Sequence, residues 1–271
     1  MKKNINLVSI LIINYNNAKY IDRAIKSCLN QTYKNIEILI FDDISKDNSK
    51  KKILKYKNNK KIKYYFNNNK KNIPAIDASN GYIFLFNKSK GQIVCLLDSD
   101  DFFKKDKVEK IVNAFKSKKN KQFIQNLPIE LSKNYLKKKN NKNNVLSYWP
   151  YLAPESCISF RRELFNSFLK TNFKYKYSFT YVWLGFRVGV YSYFIKKNFY
   201  SLADHLTVYE ALGQSEKYKT YNPLWFHRRR QSFEYLYKIS KKNITHKLNF
   251  DYIVTLILSF ILNIFNNKKN A

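Results

Sequence analysis

Three carboxylates in four residues close a short apolar run, Leu96-Leu97-Asp98-Ser99-Asp100-Asp101. Ile93 to Leu97 reads as a buried strand, and a strand that ends in charge must leave the core at that point. Asp98 and Asp100 stand two apart at the exit, where a bending backbone can turn both toward one ligand. Hard oxygens so placed suit Mn²⁺ or Mg²⁺, held through one or two carboxylates with substrate phosphates completing the shell. The same residues also fit a solvated acidic turn that caps the next helix. The elements around them decide between the two.

Those elements alternate. Leu7 to Ile13, Ile36 to Phe41, Ile62 to Phe66 and Ile93 to Leu97 are continuous apolar runs, and each reads as a strand. Between them lie helical stretches. From Ala18 to about Asn30, apolar residues recur at three and four. A Lys-rich stretch follows the turn cluster Ser45-Lys46-Asp47-Asn48-Ser49 and runs to about Asn58. Pro74 opens a third helix that reaches about Ser89, and Lys105 to Lys118 is a fourth. Strands buried on both faces and alternating with helices mean a mainly parallel α/β sheet covered on both sides. Ligands of such sheets bind beyond the carboxyl ends of the strands. That rule sets Asn14-Tyr15-Asn16, Asp42-Asp43 and Asp98-Ser99-Asp100 along one edge, and three polar strand ends on one crevice make a site.

The same residues carry a resemblance. Val8-Ser9-Ile10-Leu11-Ile12-Ile13-Asn14-Tyr15-Asn16 resembles the first strand of family 2 glycosyltransferases. Ala24 to Tyr33, Ile36-Glu37-Ile38, Asp42 to Ser49 and Gly91 to Asp101 continue the match in the family's order over about residues 6 to 118. Asn14 stands where the family usually has Pro, and Ile44 where it usually has Gly. The resemblance implies a GT-A fold of the bacterial surface-polysaccharide type, a nucleotide-diphosphate sugar donor, most often a UDP sugar, and transfer with inversion at the anomeric carbon. It implies a divalent metal on Asp100, with Asp98 on the ribose hydroxyls or sharing the metal. Asp42 is expected on the base, with Tyr15 flanking it and Asn14 and Asn16 beside it; Asp43 either joins the site or caps the following helix.

After Lys118 the pattern changes. Phe123-Ile124-Gln125-Asn126 reads as a strand, and Ser132 to Asn144, rich in Lys and Asn, as an exposed loop with a helical portion. An aromatic-rich stretch from Tyr148 is expected to form the acceptor side. Cys157 to Glu163 and Tyr181 to Arg187 resemble the strand-then-helix and the helix found there in the family. An inverting transferase needs a general base for the acceptor hydroxyl. The family usually places an Asp or Glu at the start of that second helix, but here the position falls on Gly185, and no acid occurs between Glu163 and Asp204. Glu155, in Ala153-Pro154-Glu155-Ser156, is the first substitute and Asp204 the second. The alternative is a catalytically impaired relative that binds a nucleotide sugar or glycan without transfer. The expected boundaries are a transferase domain over 1–215, with a donor half over 1–118 and an acceptor half over 119–215, and a helical extension over 216–271.

Composition bounds the partners. The net charge of +32 favours anionic ligands, yet only seven of the 51 basic residues are Arg, and abundant Asn, Ile, Tyr and Phe accompany the Lys excess. The aromatics lack RNA-recognition spacing and the basic residues are diffuse, so no nucleic-acid partner is expected. The first strand has no Gly-rich phosphate loop after it, which speaks against a nucleotidyltransferase. Cys28, Cys95 and Cys157 lie too far apart for a zinc motif or a disulfide framework, and Cys28 and Cys95, in apolar surroundings, read as buried thiols. No signal-peptide pattern opens the chain, so a cytoplasmic location is expected. Trp225-Phe226-His227-Arg228-Arg229-Arg230 holds three of the seven Arg residues and suits a phosphate or an anionic headgroup. Phe250 to Phe265 is apolar except for Asp251, Thr255, Ser259 and Asn263, one narrow stripe at i+4 spacing. At ~1.5 Å per residue it reaches roughly 24 Å, short of a ~30 Å hydrocarbon core. It is expected to lie on the inner face of the cytoplasmic membrane as a peripheral anchor, the alternative being a helix docked on the domain. An anchor is consistent with a glycan or lipid-linked acceptor in surface polysaccharide or lipopolysaccharide synthesis.

Overall fold

The apolar runs become the strands of one nine-stranded sheet in the computed structural model, which describes residues 7–132, 135–138, 148–210, 223–241 and 249–269. Strands β1 (Val8–Asn14), β2 (Ile36–Asp42), β3 (Ile62–Phe66) and β4 (Ile93–Asp98) lie parallel in the order β3-β2-β1-β4. Helices α1 (Ile21–Leu29), α2 (Ser49–Leu54) and α3 (Pro74–Lys88) connect them. Helix α2 ends four residues earlier than expected, its last turns tightening into i to i+3 hydrogen bonds from Lys55, Tyr56 and Lys57.

Alternation along the strands builds two cores. Ile10, Ile12, Ile38, Ile40, Cys95 and Leu97 face α1, α2 and α4 (Lys107–Ser117), while Leu11, Leu39, Phe41, Val94 and Leu96 face α3, α5 (Arg162–Asn172) and α6 (Leu184–Val190). Coverage on both faces explains why β1, β2 and β4 are almost wholly apolar and buried, whereas β3 at the sheet edge is only partly buried.

The second half of the sheet is mixed, with both parallel and antiparallel neighbours. It adds β8 (Ile158–Arg161), β6 (Phe123–Ser132), β9 (Phe199–Tyr209) and β5 (Phe102–Phe103) beyond β4, in that order, with β7 (Tyr135–Lys138) paired to β6. Part of the stretch expected to be a loop with a helical portion is thus strand; residues 139–147 lie outside the described ones. Only Ser99, Asp100 and Asp101 separate β4 from β5, yet the two strands sit at opposite ends of a five-strand run. The run therefore curls back on itself around the Asp98–Asp101 turn. Residues 1–118 and 119–215 both contribute strands to this sheet, and the expected boundary at 215/216 lies outside the described residues. Helix α7 (Pro223–Ile239) closes a third apolar cluster, with Tyr235 and Leu236 against Phe179, Val182 and Val190. Helix α8 (Phe250–Lys269) packs on α7.

The turn after β2 holds its central residue in a left-handed conformation. Ile44 has φ 58° and is 39% exposed. A Cβ costs about 1–2 kcal/mol there, and a β-branched residue is poorly suited to it. Glycine would remove that cost and give back about 0.4–1 kcal/mol through the unfolded chain. Ile44→Gly should therefore raise stability by about 1 kcal/mol, or about 2–4 °C in melting temperature by calorimetry. A lower melting temperature would show that the Ile44 side chain contributes packing that outweighs the strain.

Candidate active site

A cleft of about 1070 Å³ opens beyond the carboxyl ends of β1, β2 and β4. One wall is made by Ile13–Asn17, Phe41, Asp43, Lys70 to Ala78 and Asp98–Asp100; the other by Trp149–Glu155, Trp183 to Phe186 and the α7 face carrying Trp225, Arg228, Arg229 and Ser232. The volume exceeds the range of most small-molecule pockets and accommodates two ligands side by side.

Short hydrogen bonds tie the first wall together. Asn14 Nδ2 donates to Asp42 Oδ2 at 2.7 Å and to Ser45 Oγ at 3.1 Å, and Asp42 Oδ1 accepts the Ser45 N–H at 3.0 Å. Asn16 Oδ1 accepts the Lys46 N–H at 2.8 Å, while its own N–H donates to Ser45 Oγ at 2.9 Å. Asn17 Nδ2 donates to Ser99 Oγ at 2.9 Å, which joins the β1 exit to the β4 exit. These contacts correct one expectation. Asp42 is 3% exposed, is consumed by the turn and does not line the cleft. Its neighbour Asp43 does, accepting from Asn67 Nδ2 at 2.7 Å and pairing with Lys70 at 3.1 Å. Successive residues at a strand end point to opposite sides, so only one of the pair can face a ligand. Tyr15 is 48% exposed on the same wall, with the Lys70 ammonium 3.0 Å from its ring centroid.

Carboxylates crowd the centre. Asp98 Oδ1 accepts the Tyr82 hydroxyl at 2.7 Å, and Tyr82 is itself buried. Burial pushes the Asp98 carboxyl well above the usual carboxylate range, and the negative charges of Glu155, Asp101 and Asp100 push it further. Asp100 is raised by burial and by Glu210, against the pull of its own backbone N–H and of Arg23. Asp101 turns inward and accepts the Glu210 N–H at 2.9 Å. Acids held neutral by one another's charge are what a divalent cation relieves. Among the described residues no group of three or more His, Cys, Asp or Glu is arranged to hold a metal unaided. The arrangement fits Mn²⁺ or Mg²⁺ on Asp98 and Asp100 with phosphate oxygens completing the shell, since these ions need only one or two protein carboxylates.

Glu155 lines the same cleft, close enough for its charge to act on Asp98. It opens a single 3₁₀ turn, Glu155–Cys157, and its Oε1 accepts the Gly185 N–H at 3.1 Å. Burial raises its carboxyl above the usual range, with the Gly185 N–H and Arg228 pulling the other way. A Cβ on Gly185 would stand 3.0 Å from Glu155 Cγ and 2.7 Å from Ile158 Cδ1. Glu155 thus fills the space that an acid at position 185 would enter. Beneath it, Ser156 Oγ accepts the Asp98 N–H at 2.9 Å, and the buried Lys107 ammonium donates to Ser156 O and to Thr207 Oγ1, the latter at 2.9 Å. Asp204 is not brought to the cleft: it lies on β9, pairing with Lys110 at 2.8 Å, and is not among the lining residues.

Several lining residues carry no signal in the sequence. Lys70 sits in a run of Asn and Lys. Asp77 accepts the Lys71 and Ile73 N–H groups at 2.9 and 3.0 Å and so shapes the loop before α3. All three Trp residues of the chain, Trp149, Trp183 and Trp225, come from separate segments to line this one cleft.

Residues 9–202 match the sequence model of a family described as glycosyl transferase family 2. An uncharacterized glycosyltransferase of Nostoc sp. is 39% identical over 114 residues, 41% of this chain and 33% of that protein. A chondroitin synthase of Pasteurella multocida is 39% identical over 112 residues, 41% of this chain and 11% of that protein. The chain therefore matches a third or less of the length of these relatives. Among solved structures, S. aureus TarS 1-349 in complex with UDP aligns with a TM-score of 0.59 at 16% identity, over 88% of this chain and 73% of that one. A mannosyltransferase from Pyrobaculum calidifontis, in complex with GDP-Man and Mn²⁺, aligns with a TM-score of 0.61 at 14% identity, over 94% of this chain and 74% of that one. Identities this low speak to the fold, which is GT-A.

The crowding has a sign that can be measured. A carboxyl whose pKa is raised by folding destabilises the folded chain as pH climbs above the ordinary carboxylate range, and costs nothing below it. In chelator at pH 8, Asp98→Asn should melt above the parent by about 1 kcal/mol or more, because the amide keeps an acceptor for Tyr82 and removes a charge. At pH 4 the difference should vanish. A variant that melts lower at pH 8 would mean that the Asp98 charge is compensated within the metal-free protein.

Proposed function

The chain belongs to glycosyl transferase family 2, and from that premise we propose that it moves a sugar, with inversion, from a nucleotide-diphosphate donor to a glycan or lipid-linked acceptor. The observation that carries the reading is that Glu155 and the Asp98–Asp100 pair line a single cleft, with the Glu155 charge acting on Asp98. The Tyr15 and Asp43 end of the first wall suits the base, an acid accepting from a ring N–H and an aromatic flanking it. A UDP sugar is favoured, in line with the UDP held by TarS. Asp98 and Asp100 then take the ribose and a metal-bound diphosphate. A bound Mn²⁺ or Mg²⁺ would act as a Lewis acid that neutralises the leaving diphosphate.

The chain's own residues supply the rest. As the acceptor oxygen bonds to the anomeric carbon, the bond from that carbon to the diphosphate oxygen breaks, and the acceptor proton passes to the Glu155 carboxylate. A carboxyl raised by burial is a stronger base than an ordinary one, which matches it to a hydroxyl proton. Inversion requires the base and the leaving group on opposite sides of the sugar, which in this reading sets the anomeric carbon between Glu155 and the aspartates. Trp149, Trp183 and Trp225 offer ring faces to the apolar C–H faces of an acceptor sugar. We place the work at the inner face of the cytoplasmic membrane, in surface polysaccharide or lipopolysaccharide synthesis.

Three measurements test this. Calorimetric titration with UDP and Mn²⁺ should show binding that Asp100→Ala or EDTA lowers at least tenfold; unchanged affinity would remove the metal role of Asp100. Glu155→Gln should leave UDP binding intact while turnover of the donor falls about 10²–10⁴-fold; full turnover in that variant would place the base elsewhere. Combining Glu155→Ala with Gly185→Asp exchanges the carboxylate between the two facing positions. The double variant should regain part of the activity lost in Glu155→Ala alone, and no recovery would mean that position 185 cannot reach the acceptor.

A further inference from the structure

Helix α8 is amphipathic in the opposite sense to a helix of a water-soluble domain. Its polar stripe faces the protein: Thr255 is 1% exposed and Ser259 6%, and Thr255 Oγ1 donates to Asp251 O at 2.7 Å. Its apolar face points away. Phe250 is 66% exposed, Ile257 53% and Phe260 68%, with Ile253, Leu256 and Ile261 beside them. Rotating the helix by half a turn would bury this face, and a helix settled by burial alone would do so. Polar contacts prevent the rotation. Asp251 Oδ1 accepts from Arg229 Nε at 3.1 Å, the two side chains form an ion pair, and Asp251 Oδ2 accepts the Tyr148 N–H at 3.3 Å. Phe233 and Tyr252 pack edge to face at 5.2 Å.

We propose that this outward face of α8 inserts into the surface of an anionic lipid bilayer. The helix has no window apolar enough to cross a membrane, so it lies in the interface. Charge selects the occupant. A second copy of a chain with net charge +32 would be repelled, whereas an anionic leaflet attracts it. The sequence sets Lys241, Lys242 and Lys247 before the helix and Lys268 and Lys269 at its end, so basic residues flank the apolar face at both ends. The seat also reaches the cleft. Arg229, held by Asp251, lies 5.1 Å from the ring centroids of both Trp149 and Trp225 on the acceptor-side wall. If the transferase reading holds, an acceptor carried on a lipid meets the cleft at the wall nearest the bilayer.

Flotation of the full chain with vesicles tests the seat. The parent should float with phosphatidylglycerol–phosphatidylethanolamine vesicles, less so at high salt, and stay unbound with pure phosphatidylcholine. Ile257→Ser combined with Phe260→Ser should lower the bound fraction about tenfold or more. Phe250→Ser combined with Leu256→Ser, from the same face, should do likewise; light scattering and UDP binding on each preparation report folding. Variants that float like the parent overturn the proposal, as does a parent that ignores anionic vesicles. A parent that is dimeric without lipid and becomes monomeric in the variants would assign the face to a second copy instead. Flotation without UDP binding by the parent would sink the transferase reading and leave the membrane seat standing.

Discussion

Lys107 puts an ammonium group where no water reaches it, in the hollow of the curled half-sheet and directly behind the acidic turn. Burying a charge is costly unless hydrogen bonds and opposite charge surround it. Its partners are Ser156 O, Thr207 Oγ1 and the Phe103 ring, whose centroid lies 3.6 Å away, with Asp101 supplying negative potential. Burial still pulls the ammonium down to about 8. Each partner belongs to a different element: the Glu155 turn, β9 and β5. One side chain from α4 therefore ties together the three pieces that frame the acidic turn, alongside the Thr207 hydroxyl, which also donates to Ser156 O at 3.1 Å.

The cleft follows from that anchoring. With Ser156 held from below by Lys107 and its hydroxyl held by the Asp98 N–H, Glu155 has little freedom except at its carboxylate, which the Gly185 N–H then orients. The cost is a set of acids that repel one another. Under the proposed function, a divalent cation bound together with a diphosphate would relieve that repulsion. The same economy governs Arg. Arg161, Arg162 and Arg187 spend their forks mainly on backbone carbonyls, Arg229 on Asp251, and Arg228 lines the cleft. In a chain so rich in Lys, guanidinium is kept where planar, multiple hydrogen bonding is needed.

The first 118 residues were legible because their signals are local. An apolar run of six or seven residues ending in Asp or Asn names a buried strand and its exit, and parallel order then places every exit on one edge. Tyr15, Asp98 and Asp100 lie on the cleft for that reason. The choice between Asp42 and Asp43 was not legible, because it depends on which side chain the Asn14 amide captures across two strands. The position of Asp204 turns on the path of β9, a strand whose partners lie far from it in sequence. Tyr135–Lys138 is strand by virtue of pairing with β6, and its polar composition shows no period of its own.

The sequence by itself determined the α/β alternation, the acidic strand end, the departure at Gly185 and the four-residue spacing of the α8 polar stripe. These are properties of neighbours along the chain, readable from periodicity and residue type. Tertiary structure alone decided that Glu155 fills the space above Gly185, that Lys107 lies beneath it, that three distant Trp residues share one wall, and that α8 turns its polar stripe inward. Each of these depends on segments brought together by long-range packing, whose geometry no local pattern encodes.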